Sequence, residues 1–187
     1  MKNLKKYIES LTGFSDLSWE ILLSCMTEKE FKRNEILLEA GQISNSVFYI
    51  SSGLCKACYN HDGKEINTEF YFENDFASNI NSLTHSAKSE YSIKAVEKSV
   101  VVQFDKTKLL EAYSKSQQIE TFGRKVLELC LAKHEAHANN FKLLTPKQRY
   151  ENLITNRPDF LQRVSLTQMA SYLGISRETL SRFRAIK

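Results

Sequence analysis

Between Lys32 and Phe104 the chain is a series of short apolar runs punctuated by turn residues, and this restricts its fold more than any other feature. The runs "EILLEA", "SVFYIS", "LCKACY", "INTEFYF", "YSIKAV" and "SVVVQF" are rich in β-branched and aromatic residues. Ala40-Gly41, Ser52-Gly53, His61-Asp62-Gly63-Lys64 and Glu73-Asn74-Asp75 separate them. Regularly spaced short strands with turns between them predict an antiparallel sandwich or barrel-like roll. Asp62-Gly63 is the strongest hairpin signal, because both positions tolerate the positive φ of a two-residue loop. Helical spacing flanks this region. Leu4, Tyr7, Ile8 and Leu11, then Leu17, Ile21, Leu22 and Cys25, predict helices over about residues 3–30, with Ser15 and Asp16 as caps of the second. The fold class is therefore α+β: an N-terminal antiparallel β-roll with flanking helices, followed by helices.

After Lys106 the helical pattern returns. Ile119, Phe122, Val126 and Leu129 form one apolar stripe, and Leu127, Leu131, His134, Ala138 and Phe141 form a second. A helix with two stripes can pack on its own domain and on a partner helix, and a second copy of the chain is the natural partner. The segment taken alone fits an ordinary core helix equally well. Thr145 and Pro146 supply an N-cap and a first helical residue for the next helix, and Arg157-Pro158 ends it. The domains read as 1–117 (roll), 118–141 (long helix) and 142–187 (C-terminal helices).

The stretch "SLTQMASYLGISRETLSRF", Ser165 to Phe183, is a capped helical pair. Ser165 with Gln168 makes a capping-box pattern. Leu166, Met169, Ala170 and Leu173 form a buried face, Gly174 permits the turn, and Ser176 caps the second helix. This is a helix-turn-helix pattern. Its second helix presents Arg177, Glu178, Thr179, Ser181 and Arg182 near its start, where side chains reach base edges in a major groove. Arg pairs two-pronged with guanine and Glu accepts from cytosine. Ser165 and Thr167 are placed for phosphate contacts. Charge agrees: residues 142–187 hold nine Lys or Arg against three Asp or Glu, whereas residues 1–141 hold 17 against 19. A basic tail behind a near-neutral body predicts a polyanionic partner.

On these residues the chain resembles the cyclic-AMP receptor/FNR-type regulators. "ISRETLSR" is similar to their recognition helix, "EILLEAGQISNSVFYISSGLCKACYNHDGKEI" resembles their roll, and "FYFENDF" resembles the approach to their phosphate-binding cassette. The resemblance covers almost the whole chain. It implies a cytoplasmic homodimeric transcription regulator reading a near-palindromic duplex site, with RNA polymerase as a further candidate partner. It implies that Arg177, Glu178 and Arg182 read bases.

Three departures qualify the resemblance. Ser78-Asn79 stands where a cyclic-nucleotide binder carries Gly-Glu, and Glu90-Tyr91 where it carries Arg followed by Ser or Thr. A carboxylate at the expected anion position opposes a cyclic phosphate, so no response to cyclic AMP and no cofactor is expected. The remaining effector-pocket candidates, Phe70 and Phe72 with Ser78, Asn79, Glu90 and Tyr91, either line an apolar pocket or fill it, and filling is the favoured reading. Only Cys25 lies near the N-terminus, so an iron–sulfur sensor is not expected. The sequence ends at Lys187, and the expected wing after the recognition helix is short or absent.

Other chemistry finds no support. Cys55 and Cys58 form a CxxC on a strand, where residues three apart point to opposite faces, and no second pair exists at zinc spacing. His134-Glu-Ala-His137 lacks the four-residue ligand spacing of a zinc protease. No nucleophile elbow, P-loop or dinucleotide glycine motif is present, so an enzyme is not expected. No apolar run approaches the length of a membrane span, and the N-terminus lacks a signal-peptide core. The alternative from another class is a ligand-sensing module that docks a protein through its C-terminal helices.

Overall fold

A computed structural model describes residues 1–185. The helices α1 (Lys2–Leu11) and α2 (Asp16–Leu23) precede the strands β1 (Met26–Phe31), β2 (Ile36–Leu38), β3 (Ser46–Ser52), β4 (Cys55–His61), β5 (Lys64–Tyr71) and β6 (Phe76–Ala77). A short helix α3 (Ile80–His85) leads to β7 (Ser92–Ala95) and β8 (Ser99–Asp105). The chain then turns helical through α4 (Lys106–Lys115), α5 (Gln117–Leu143), α6 (Pro146–Asn156), α7 (Phe160–Arg163), α8 (Leu166–Leu173) and α9 (Arg177–Ala185). The wing expected after the recognition helix lies outside the described residues.

The strands form two four-stranded antiparallel sheets, ordered β1-β8-β3-β6 and β2-β7-β4-β5. Asp62 and Gly63 take φ of 51° and 76° in the tight β4–β5 hairpin, as the Asp-Gly pair requires. Alternation assigns the faces. Phe48, Ile50 and Val101 of one sheet meet Leu38, Ala57, Tyr71 and Ile93 of the other and fill the space between the sheets. Tyr49, Val102 and Phe104 point the opposite way, onto α1, α2, α4 and α5.

Two sequence expectations need correction. The helical spacing expected up to residue 30 gives way at Met26, where β1 pairs with β8 from Met26↔Phe104 to Phe31↔Ser99. The Val100–Val102 run of β8 offers a ladder that the charged segment Glu28-Lys29-Glu30 can complete at an edge, and pairing overrides local propensity. In α5, the stripe of Ile119, Phe122 and Val126 is buried in the chain's own core beside Phe104, while Leu129 is exposed. That stripe therefore does not face a partner as a unit. The apolar residues left open on α5 include Leu127 and Leu131, from the second stripe.

Candidate nucleic-acid interface

α8 and α9 are each fixed at their ends by local chemistry. Ser165 Oγ accepts the Gln168 N–H at 3.3 Å and Gln168 Oε1 accepts the Ser165 N–H, so both halves of the capping box form. Gly174 ends α8 at φ 67°, ψ 36°, and the following Ile175 N–H returns to Ala170 O at 3.0 Å. Ser176 Oγ accepts the Thr179 N–H at 3.1 Å and so caps α9. Leu180 is fully buried and Phe183 packs on Tyr150, which orients the rest of the helix outward.

The outward face of α9 carries the residues the sequence singled out. Arg177, Glu178, Ser181 and Arg182 are exposed, with Ser165, Thr167 and Ser176 also open to solvent. Thr179 is half-buried, and its hydroxyl accepts from Arg182 Nη2 at 3.3 Å. The helix N-terminal N–H of Glu178, the Ser176 hydroxyl and the nearby Arg177 and Arg182 hold the Glu178 carboxyl below its ordinary range. It is therefore an acceptor at neutral pH, flanked by two donors.

The pair of helices is seated on the roll. β5 is an edge strand, and α8 covers it. Ser171 Oγ accepts the Asn67 N–H at 2.9 Å and donates to Glu65 O at 3.3 Å, satisfying two groups the sheet leaves unpaired. Phe70 meets Phe160 edge-on at 4.9 Å and Tyr172 at 5.5 Å. The Arg157 guanidinium lies 3.9 Å from the Phe72 ring centroid. Arg163 forks onto Glu73 at 2.8 and 2.9 Å and reaches Glu97. These partners raise the Arg163 pKa, and the Arg163 hydrogen bond lowers that of Glu73. Phe70 and Phe72 are thus not effector-pocket residues. They project from the outer face of their sheet and anchor the C-terminal helices. Strand alternation predicts that they share a face and that Tyr71 takes the other, but not what covers it. Nothing in the sequence singles out Ser171 or Arg163.

The cassette is closed on itself. Asn79 caps α3, accepting the Ser82 N–H at 3.0 Å, and its Nδ2 donates to Ser89 Oγ at 2.9 Å. Tyr91 Oη donates to Ser78 O at 3.1 Å, and the Tyr91 ring packs on Tyr59 at 5.3 Å. Asn79, Ser82, Ser89, Tyr91 and the Ser78 carbonyl are therefore joined by bonds within the segment. Glu90 is exposed beside them. The Cys55 and Cys58 thiols are both buried, which pushes their pKa values up to about 12 and about 11. No grouping of three or more His, Cys, Asp or Glu suited to a metal occurs among the described residues, and none of their helices is long and apolar enough to cross a membrane.

Comparison with known proteins agrees with this architecture. Residues 28–116 match the cyclic nucleotide-binding domain family. No curated protein matches in sequence. Among solved structures, a cyclic nucleotide-binding domain containing protein from Listeria monocytogenes is similar at 18% identity and TM-score 0.69, covering 98% of this chain and 89% of that one. The c-di-GMP responsive global regulator CLP of Xanthomonas campestris is similar at 16% identity and TM-score 0.69, covering 92% and 91%. A CooA mutant from Carboxydothermus hydrogenoformans is similar at 18% identity and TM-score 0.69, covering 94% and 79%. At these identities the likeness is one of fold.

Proposed function

We propose that this chain is a homodimeric, sequence-specific DNA-binding transcription regulator whose sensory roll does not answer to cyclic AMP. The observation that carries the reading is the face of α9: two arginines and a charged carboxylate, all exposed, at the start of a capped helix whose opposite side is locked by Leu180. That is the arrangement needed to enter a major groove and read base edges. The fold likeness to a protein described as a global regulator supports the same reading. The self-bonded cassette supports the loss of cyclic-nucleotide response. The open leucines of α5 support a second copy as partner, which would set two recognition helices one duplex turn apart on a near-palindrome. RNA polymerase is the further partner such a regulator would engage.

Selection from a random duplex pool, with and without cyclic AMP, tests this. The expected result is one enriched near-palindrome, the same in both conditions. Arg177→Ala is expected to cost about 1–3 kcal/mol and relax one base position per half-site. Enrichment that Arg177→Ala leaves unchanged removes the assignment, and enrichment only with cyclic AMP removes the proposed insensitivity.

A further inference from the structure

A cavity of about 360 Å³ lies between the β1-β8-β3-β6 sheet, α3, α4 and α5. Its inner wall is Phe76, Phe104, Leu109, Tyr113, Phe122 and Val126. These belong to the cluster between sheet and helices, while Tyr71 and Ala77, from the packed cluster between the two sheets, also line the cavity. Exposed Leu110, Leu127 and His134 border it, so it is a cleft open to solvent, and its size is of the scale that holds a small molecule.

Its polar side chains are the hydroxyls of Tyr71, Ser78, Thr84 and Tyr113, the Cys130 thiol, Lys106 and His134. No residue lining it carries a carboxylate, while Lys106 and His134 both line it. Neither forms an ion pair among the described residues. The Tyr113 phenol lies against Gly123, where a Cβ would collide with it, so the glycine makes room for that ring in the wall. Burial raises the Tyr113 pKa, so it stays a neutral donor at neutral pH. The geometry points to a binding site for a small amphipathic carboxylate, its apolar chain or ring against the aromatic wall and its anion toward Lys106. Binding at this site stands on the cavity alone, and its role as an effector site rests on the regulator reading.

The full chain is titrated with 1-anilinonaphthalene-8-sulfonate, and decanoate and decanol compete for it. One saturable site per chain is expected, with decanoate displacing the probe about tenfold better than decanol, the difference a single charged contact makes. Leu83→Trp, a half-buried position on the wall, narrows the cavity and is expected to weaken both competitors about tenfold. Lys106→Glu is expected to weaken decanoate, and the anionic probe with it, while decanol keeps its affinity. Circular dichroism establishes that both variants are folded. Absence of a saturable site, or affinities that both variants leave unchanged, overturns the proposal. So does a site closed to the probe in the associated protein that Leu83→Trp opens by dissociating it, because a second copy then fills the cavity. Duplex selection on the same preparations separates the two readings. Enriched DNA without decanoate binding removes the cavity site and leaves the regulator, and decanoate binding without enriched DNA does the reverse.

Discussion

At the scale of the residue, the turn between α8 and α9 depends on Gly174 and Arg149. Gly174 holds φ 67°, and a Cβ there would come within 3.1 Å of the Phe141 ring. The Arg149 guanidinium stacks on the other part of that surface, 4.5 Å from the Phe141 centroid, and donates to Leu173 O and Leu144 O, each at 3.0 Å by its shorter bond. The turn is therefore tied at once to α8 and to the end of α5. Gly174→Ala must accept a left-handed conformation and displace the ring. It is expected to cost about 1–2 kcal/mol, a drop of about 3–6 °C in melting temperature for a chain of this size. Differential scanning calorimetry checks it, and an unchanged midpoint would show that the turn relaxes freely. A glycine at this point is legible in the sequence, because the apolar face of α8 stops there. Arg149 is not, because its role is to bond carbonyls that only the tertiary structure brings within reach.

At the scale of the element, α5 shows where reading by periodicity succeeds and where it fails. Its two stripes and most of its extent follow from spacing and from the absence of proline, whereas the Ser116 cap and the run on to Leu143 are seen only in the structure. Which stripe faces the roll does not, because both are apolar, and only packing against Phe104 and Phe14 chooses the one containing Phe122. The strands divide in the same way. Short apolar runs between turn residues betray β2, β3, β4, β5, β7 and β8, while β1 is charged enough to hide, since its neighbour supplies the ladder. The candidate DNA-reading residues on α9 were legible because capping and amphipathicity orient a helix locally. The pocket residues Phe70 and Phe72 were not, because strand alternation gives a face without naming its neighbour. The choice of stripe makes a prediction. Leu131 is 70% exposed on the open side of α5, so Leu131→Asp leaves the chain's own core untouched. If a second copy packs there, sedimentation equilibrium is expected to show association weakened by a factor of about 30 or more, the equivalent of about 2 kcal/mol for a charge placed in an apolar seam. An unchanged mass distribution would assign the partner surface elsewhere.

At the scale of the whole molecule, the seat of α8 on β5 joins the roll to the helices that carry Arg177, and one histidine makes that joint sensitive to pH. His137 on α5 lies with Nδ1 3.2 Å from Tyr172 Oη on α8, its ring packed between Tyr172 and Phe141. Burial lowers its pKa, opposed by Glu69 on β5 and assisted by His134 and Lys133 on its own helix. A base with a lowered pKa favours the packed state when neutral. Its contribution is complete above the ordinary histidine value of about 6.5 and shrinks as pH falls below it. The fork of Arg163 on Glu73 responds in a lower window. The Glu73 carboxyl sits below its usual range, so that contact is whole above about pH 4.3 and is lost only as pH falls through the depressed value. Between pH 7.5 and 5.5 His137 therefore acts on the joint while Glu73 does not. The Asn67 amide, bonded to Ser171 Oγ, reports opening directly. Its hydrogen exchange, corrected for the intrinsic rate, is expected to rise as pH falls over that range, and His137→Gln is expected to flatten the response. Protection that does not change with pH in the unaltered chain would mean that the aromatic contacts of Phe70 and the Arg163 fork hold the seat without help from the histidine.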